Sequence, residues 1–525
     1  MEWIELFIGG LVGLATSLSL IPIILQASRR YGLASQAREA HHTHQFPVPR
    51  LGGIALAGAL VAVVLVFSFL EPGFLQNRER WLVIPASLAM FALGLWDDLS
   101  ALGARRKLLG QILIASVTFF CGLGIAHFRI PFTEHILDLG WWAWPVTVLW
   151  LVAMTNLINL IDGVDGLAGG ICLMLMILLV YVSQQTGFVP LITAGMAGAL
   201  LGFLRFNFPP ARIYLGDGGA YFLGFLIGCL TIVSSQKGTL FAALATPLFV
   251  LALPIIDTSL AILRRGMRGL PLFRPDRKHI HHRLLSLGYS RRKVVLGLYG
   301  FTAFFLVLGF FAFFSRAQFF PLFLGIGMLA IILTAGRFSF SREWFSIGRV
   351  LGNSLESRAD IQYAMSLTRW LALEGTRAPT IEQLAGDVVF IARKLGFARV
   401  LIRLEDEEKT WQLNDRRNEQ CQLRRQSFQH KLPGHNYCYL ELCVTCPDPK
   451  QTMAPEVCNL SEATLNKFSI LAELVAEGWG KAVDDWKKLH KLPARFDASP
   501  QVPAAVEPAL PKPARPISEP PPLEK

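Results

Sequence analysis

Apolar runs long enough to cross a bilayer follow one another through residue 336, and short polar clusters interrupt them. A spanning helix needs about 20 predominantly apolar residues. Eleven runs meet this loosely, at about 4–26, 51–70, 81–97, 107–126, 142–160, 167–184, 187–205, 219–235, 239–263, 294–315 and 319–336. They predict an α-helical polytopic membrane protein with about 11 transmembrane helices. The first run is longer than a signal-peptide core and lacks a basic start, so it reads as a retained span. Beyond about residue 338 the pattern becomes that of a water-facing domain. An amphipathic helix is expected at 353–373, and Thr380 with Gln383 forms the signature of a capping box opening a second helix through Leu395. Arg399–Leu404 and Tyr437–Val444 read as strands, and 461–490 as a long helix with Leu465, Phe468, Leu471, Leu474 and Val475 on one side. The expected division is a membrane domain at 1–337, an α+β domain at 345–490, and a tail at 493–525 whose prolines make it disordered or polyproline-like.

Composition agrees with the pattern. Of 525 residues, 53% are hydrophobic and 17% charged, and the mean hydropathy is +0.43. The net charge of +12 belongs to loop topology and anionic lipid headgroups, so nucleic acid is not an expected partner. With the N-terminus outside, the inside loops carry eighteen Lys and Arg residues against five outside, which puts the polar clusters and the C-terminal domain in the cytoplasm. The eight cysteines do not read as a disulfide framework, in keeping with that compartment. Cys443 and Cys446, with Cys438, Cys458 and His435, lack a matching second pair and read as reduced structural thiols more readily than as a metal site.

Five clusters hold nearly all the acidic and imidazole chemistry of the apolar part: Pro47–Gly53, Asp97-Asp98, Asn159–Gly166, Asn207–Gly219 and His279–Arg283. Paired carboxylates ending a span are costly unless they meet water, a cation or a partner, so Asp97-Asp98 is either a metal or phosphate site or an interfacial helix cap. Lys107 lies across a short loop and supplies a point charge suited to a diphosphate. Asn156, Asn159, Asp162 and Asp165 step by three along the chain, a spacing that a plain polar turn explains poorly. Asp217, flanked by glycines that admit a close ligand, is the best single candidate for Mg²⁺, which favours carboxylate and phosphate oxygens. Tyr214 is either a ring for base stacking or an interfacial aromatic. His279, His281, His282 and Arg283 sit in the most basic loop, where arginine-rich surroundings favour phosphate or sugar over a cation.

In this order the clusters resemble the polyprenyl-phosphate N-acetylhexosamine-1-phosphate transferase family, over about residues 1–336. The His279-Ile-His-His-Arg-Leu284 form resembles the WecA/TagO-like branch, related to MraY, which uses UDP-N-acetylglucosamine. The resemblance implies that undecaprenyl phosphate attacks the sugar-bearing phosphorus of UDP-N-acetylglucosamine, giving a lipid diphospho-sugar and UMP at the inner membrane. It implies Asp217 as ligand of Mg²⁺, or Mn²⁺ in its place, with Asp98 assisting at the metal or the substrate phosphate, and Asp97 as proton acceptor or positioner of the lipid phosphate. Asn159, Asp162, Asp165 and Tyr214 fall to the nucleotide, and Lys107, His279, His281, His282 and Arg283 to diphosphate and sugar. One departure is Ala101, where the family's first motif has a third acidic residue. A homodimer is compatible with this reading. The C-terminal domain lies outside it and resembles a GAF-type sensor domain in its order of elements. The competing reading, a secondary transporter, predicts charges near mid-span and repeated halves. Here the acidic residues gather at span ends. A sensor signalling through the C-terminal domain is a third reading, and it is compatible with catalysis.

Overall fold

The computed structural model describes residues 3–32, 48–70, 78–100, 102–129, 136–184, 188–236, 288–314, 347–404, 407–413, 425–431, 439–445 and 462–490, with isolated positions at 251, 255, 266, 284, 322, 325–327 and 496. The chain divides into two compact units, Met1–Tyr363 and Ala364–Lys525.

The first unit is helical. Its elements are α1 (Trp3–Tyr31), α2 (Gly52–Leu70), α3 (Arg78–Leu99), α4 (Ala104–Phe120), α5 (Ala143–Ile161), α6 (Leu167–Val182), α7 (Phe188–Asn207), α8 (Gly216–Gln236) and α9 (Arg291–Phe314), with a two-stranded hairpin of β1 (His127–Arg129) and β2 (Ile136–Asp138). Seven of these helices are long and apolar enough to cross a membrane, so the protein is a multi-pass membrane protein. The expectation of about 11 spans is met only in part. The run at 107–126 is helical only to Phe120, α6 is also short, and the runs at 239–263 and 319–336 lie outside the described residues, apart from a few isolated positions.

Small residues set how closely these helices approach, since lipid offers no hydrophobic drive for helix association. On α1, a Cβ added to Gly13 would fall 1.9 Å from the Gly195 carbonyl oxygen of α7. α8 is buried nearly all round, against α2, α3 and α5, and its apolar side chains fill the centre of the bundle. A residue at its first turn is therefore held by three neighbouring helices.

In the second unit, the C-terminal part of α10 (Ile347–Glu374) is followed by α11 (Ile381–Lys394), strands β3 (Arg399–Leu404), β4 (Glu407–Gln412), β5 (Arg425–Lys431) and β6 (Tyr439–Thr445), and α12 (Glu462–His490). Thr380 caps α11, its hydroxyl accepting from the Gln383 N–H at 3.3 Å. The strands form one antiparallel sheet in the order β4-β3-β6-β5. Alternation puts Val400, Ile402, Leu404, Leu440 and Leu442 on one buried face. The two edge strands, β4 and β5, were not foreseen, because charged residues obscure their period-two pattern. Cys443 is buried on β6, while Cys438, Cys446, Cys458 and His435 lie outside the described residues.

Candidate active site

The residues at the ends of four helices converge at the first turn of α8. Asp97 and Asp98 close α3, Lys107 opens α4, Asn159 lies in the last turn of α5, and Asp217 is the second residue of α8. Lys107 Nζ pairs with Asp97 and lies 3.2 Å from Asp217 Oδ2, so one ammonium joins two carboxylates. Asn159 Nδ2 donates to the other Asp217 oxygen at 2.8 Å. Asp97 also accepts from the Leu102 N–H at 2.7 Å. Its side chain is 3% exposed, against 28% for Asp217 and 29% for Lys107, so the latter two are the pair a ligand can reach.

Asp98 has a different place. The backbone N–H groups of Asp217 and Gly218 donate to its two oxygens at 3.0 and 2.8 Å. It caps α8 from another helix, meeting both the unpaired amides and the positive end of the helix dipole. Gly216, at φ +76°, makes the turn that aims those amides, and a Cβ there would meet the Arg50 carbonyl oxygen at 2.6 Å. The cap and the metal-ligand readings of the Asp pair are thus divided: Asp98 holds the helix, and Asp97 faces Lys107.

The loop before α8 is held by the first cluster. Pro49 accepts from the Tyr214 N–H, and the Gly52 and Gly53 N–H groups donate to the Tyr214 and Leu215 carbonyls, at 2.9 to 3.0 Å. A Cβ on Gly53 would fall 2.4 Å from the Gly219 nitrogen, so glycine is what lets α2 start against α8. Tyr214 is half-buried, and burial with the nearby Asp165 charge pushes its hydroxyl up to about 12. Just past α5, burial, reinforced by the Asp217 and Asp98 charges, holds the Asp162 carboxyl well above the usual carboxylate range.

Asp165 and Asn207 form a second cluster. Asp165 accepts from the Ala211 N–H at 3.2 Å and pairs with Arg291 at 3.6 Å. Asn207 accepts from the Gly166 N–H at 3.0 Å and donates to the Ile213 carbonyl at 2.8 Å. From α9, Arg292 donates to the Pro209 carbonyl at 2.8 Å and the Tyr299 hydroxyl donates to the Gly166 carbonyl. Sequence reasoning did not single out Arg291, Arg292 or Tyr299; their only signal is a place at the start of an apolar run. It also left out Arg50, whose charge acts on Asp98 and Asp162, although the cluster containing it was visible. His279, His281, His282 and Arg283 lie outside the described residues.

Two reachable groups of opposite charge beside an amide suit phosphate chemistry: the lysine attracts oxyanions and the carboxylate attracts a hard cation. Among the described residues there is no cluster of three or more metal-ligating side chains. A site of one or two carboxylates completed by phosphate oxygens and water is what Mg²⁺ usually takes, so the donor set fits that ion.

Comparison with known proteins leads to the same chemistry. The family model described as glycosyl transferase family 4 matches residues 80–235, which hold all five converging side chains. A probable undecaprenyl-phosphate N-acetylglucosaminyl 1-phosphate transferase of Bacillus subtilis is 35% identical over 298 residues, covering 56% of this chain and 82% of the relative. A decaprenyl-phosphate N-acetylglucosaminephosphotransferase of Mycobacterium tuberculosis is 33% identical over 305 residues, 53% of this chain and 75% of that one. A phospho-N-acetylmuramoyl-pentapeptide-transferase of Desulforudis audaxviator is 29% identical over 327 residues, 57% of this chain and 95% of that one. By these matches the chain belongs to glycosyl transferase family 4, among the polyprenyl-phosphate N-acetylhexosamine-1-phosphate transferases.

Proposed function

We propose that the protein transfers N-acetylglucosamine 1-phosphate from UDP-N-acetylglucosamine to undecaprenyl phosphate, releasing UMP and starting a cell-envelope polysaccharide. The observation that carries this reading is the meeting of Asp97, Lys107, Asn159 and Asp217 from four helices at one half-exposed point. The likeness to the Bacillus subtilis relative, a probable undecaprenyl-phosphate N-acetylglucosaminyl 1-phosphate transferase, supports this choice of sugar and carrier.

In the reaction an oxygen of the lipid phosphate forms a bond to the sugar-bearing phosphorus, and the bond from that phosphorus to the UMP oxygen breaks. Phosphoryl transfer depends chiefly on placing the reactants in line and stabilising their charge. Lys107 would neutralise a diphosphate oxygen. Asn159 would orient the Asp217 carboxylate. A phosphate monoester is already mostly ionised near neutral pH, so Asp97 would act on position as much as on a proton. Asp217, kept in place by the Asp98 cap on α8, would hold Mg²⁺, which when bound supplies charge to the leaving UMP. Asp165 would serve the nucleotide through the loop it braces, which carries Tyr214. The eighteen-to-five charge bias of the loops supports a cytoplasmic site at the inner membrane.

The test is UMP release by the purified full-length protein with Mg²⁺ and undecaprenyl phosphate, comparing UDP-N-acetylglucosamine, UDP-N-acetylgalactosamine and a UDP-N-acetylmuramoyl-pentapeptide. Release with the first alone, stopped by chelator and restored by Mg²⁺, is expected. Preference for the muropeptide would move the protein to the chemistry named for the Desulforudis audaxviator relative. No release from any donor would refute the proposal.

A further inference from the structure

The side of α4 that packs inward is the stripe Gln111, Ala115 and Thr118, one turn beyond Lys107. At such spacing a membrane helix normally presents small or apolar groups. Gln111 is instead a full amide at 1% exposure. Its Oε1 accepts from Asn156 Nδ2 of α5 at 2.7 Å, and the same Nδ2 donates to the Val152 carbonyl at 2.8 Å. Among the described residues Gln111 Nε2 has no hydrogen-bond partner. A buried amide with an unused donor is costly away from water, and packing alone would be served better by leucine.

Position explains the amide. Gln111 follows Lys107 by four residues and Asn156 precedes Asn159 by three, so each member lies one turn below a residue of the site, on the same side of its helix. The amide pair is a second polar tier beneath the Lys107–Asp217–Asn159 contacts. Those contacts are narrow: Lys107 reaches Asp217 at 3.2 Å and Asn159 reaches it at 2.8 Å. A slip of one residue along a helix is about 1.5 Å, enough to break either one. A single polar pair in an apolar interface is the best-attested device for fixing register.

We propose that Gln111 and Asn156 are positioning residues for transfer: their amide pair sets the register of α4 on α5, and through it the placement of Lys107 and Asn159 around Asp217. This rests on the function proposed above for its kinetic arm only. In that arm, Gln111→Leu and Asn156→Leu should each lower kcat about 10- to 100-fold, the cost of misplacing a group by an ångström or so. KM for the nucleotide sugar should stay within about twofold, since a positioning defect acts at the reacting centre. The double leucine variant should be no worse than the singles, because each already breaks the pair. The exchange Gln111→Asn with Asn156→Gln should restore most of kcat, which a purely space-filling role would not. Singles that keep kcat within twofold, or losses that multiply in the double variant, would overturn the proposal.

The second arm needs no turnover. Trp144 Nε1 of α5 lies 3.2 Å from Ser116 Oγ of α4. In a cysteine-free full-length background, cysteines at 116 and at 143, 144 or 145 should cross-link best in one pairing with a short thiosulfonate reagent. Gln111→Leu should shift or spread that preference, and the amide exchange should return it. An unchanged pattern would overturn the proposal even in an active enzyme. A wild-type protein that released no UMP would refute the functional reading and leave the cross-linking result to judge the register.

Discussion

The Asp217 cluster and the Asp165 cluster draw on the same residue types, and their hydrogen bonding divides them. Around Asp165, Asn207 and Gly166, apart from the Arg291–Asp165 ion pair, side chains bond backbone: Asn207 is 2% exposed and ties two separate loop segments, while Arg292 and Tyr299 fasten the same loop from α9. The Asp217 carboxylate instead bonds side chains, a lysine and an amide that remain partly open to solvent, while the backbone-bonded Asp98 holds the helix beneath it. A group whose partners are backbone atoms is committed to architecture, since moving it unfolds a loop. A group whose partners are other side chains can exchange them for a ligand. The residues of one motif, Asn159 through Gly166, therefore serve both purposes.

Substitutions can break this contrast. Asp217→Ala is expected to abolish UMP release, a loss of about 10³-fold or more by analogy with removing preorganised charge stabilisation, with the melting temperature nearly unchanged. Lys107→Met should cost about 10²-fold in kcat and likewise leave the fold intact. If either variant melted early, the Asp217 cluster would be architecture as well. Asn207→Ala should do the reverse: leaving the Gly166 N–H and the Ile213 carbonyl unmet costs about 2 kcal/mol of stability, read as a lower melting temperature, with a smaller drop in kcat.

A carboxylate outside both clusters provides the mildest case. Burial, helped by the Glu374 charge, raises the Asp387 carboxyl from 3.8 to about 6. The folded state therefore disfavours its ionised form. That penalty is absent below about pH 4 and grows as pH rises through about 6. Asp387→Asn should stabilise α11 at pH 8 by about 1 kcal/mol, once solvent screening at a half-buried site is allowed for, and the gain should vanish near pH 4. Hydrogen exchange of the α11 amides in the full-length protein at the two pH values would measure it.

Much of this was legible in the chain. Apolar runs located the helices from α1 to α9, because membrane helices must satisfy their backbones internally and announce themselves by length. Asp97, Lys107, Asn159 and Asp217 were each visible as ionisable or amide groups at span ends. The split between Asp97 and Asp98 was not, since adjacent side chains on a helix point about 100° apart and only the neighbouring α8 decides which one becomes a cap. Gln111 was hidden for another reason: a lone amide inside an apolar run changes no hydropathy window. The hold of α9 on the loop near Gly166 arises across more than a hundred residues of sequence, and no local pattern encodes it.

The cap that Asp98 places on α8 separates the backbone of residue 217 from its own carboxylate. With both leading amides anchored to α3, the main chain there needs nothing from Lys107 or Asn159 to stay in place. Release of either partner, and capture of an incoming ion or oxyanion, then requires only rotation about side-chain bonds, which takes picoseconds to nanoseconds, rather than a helix displacement a thousandfold slower or more.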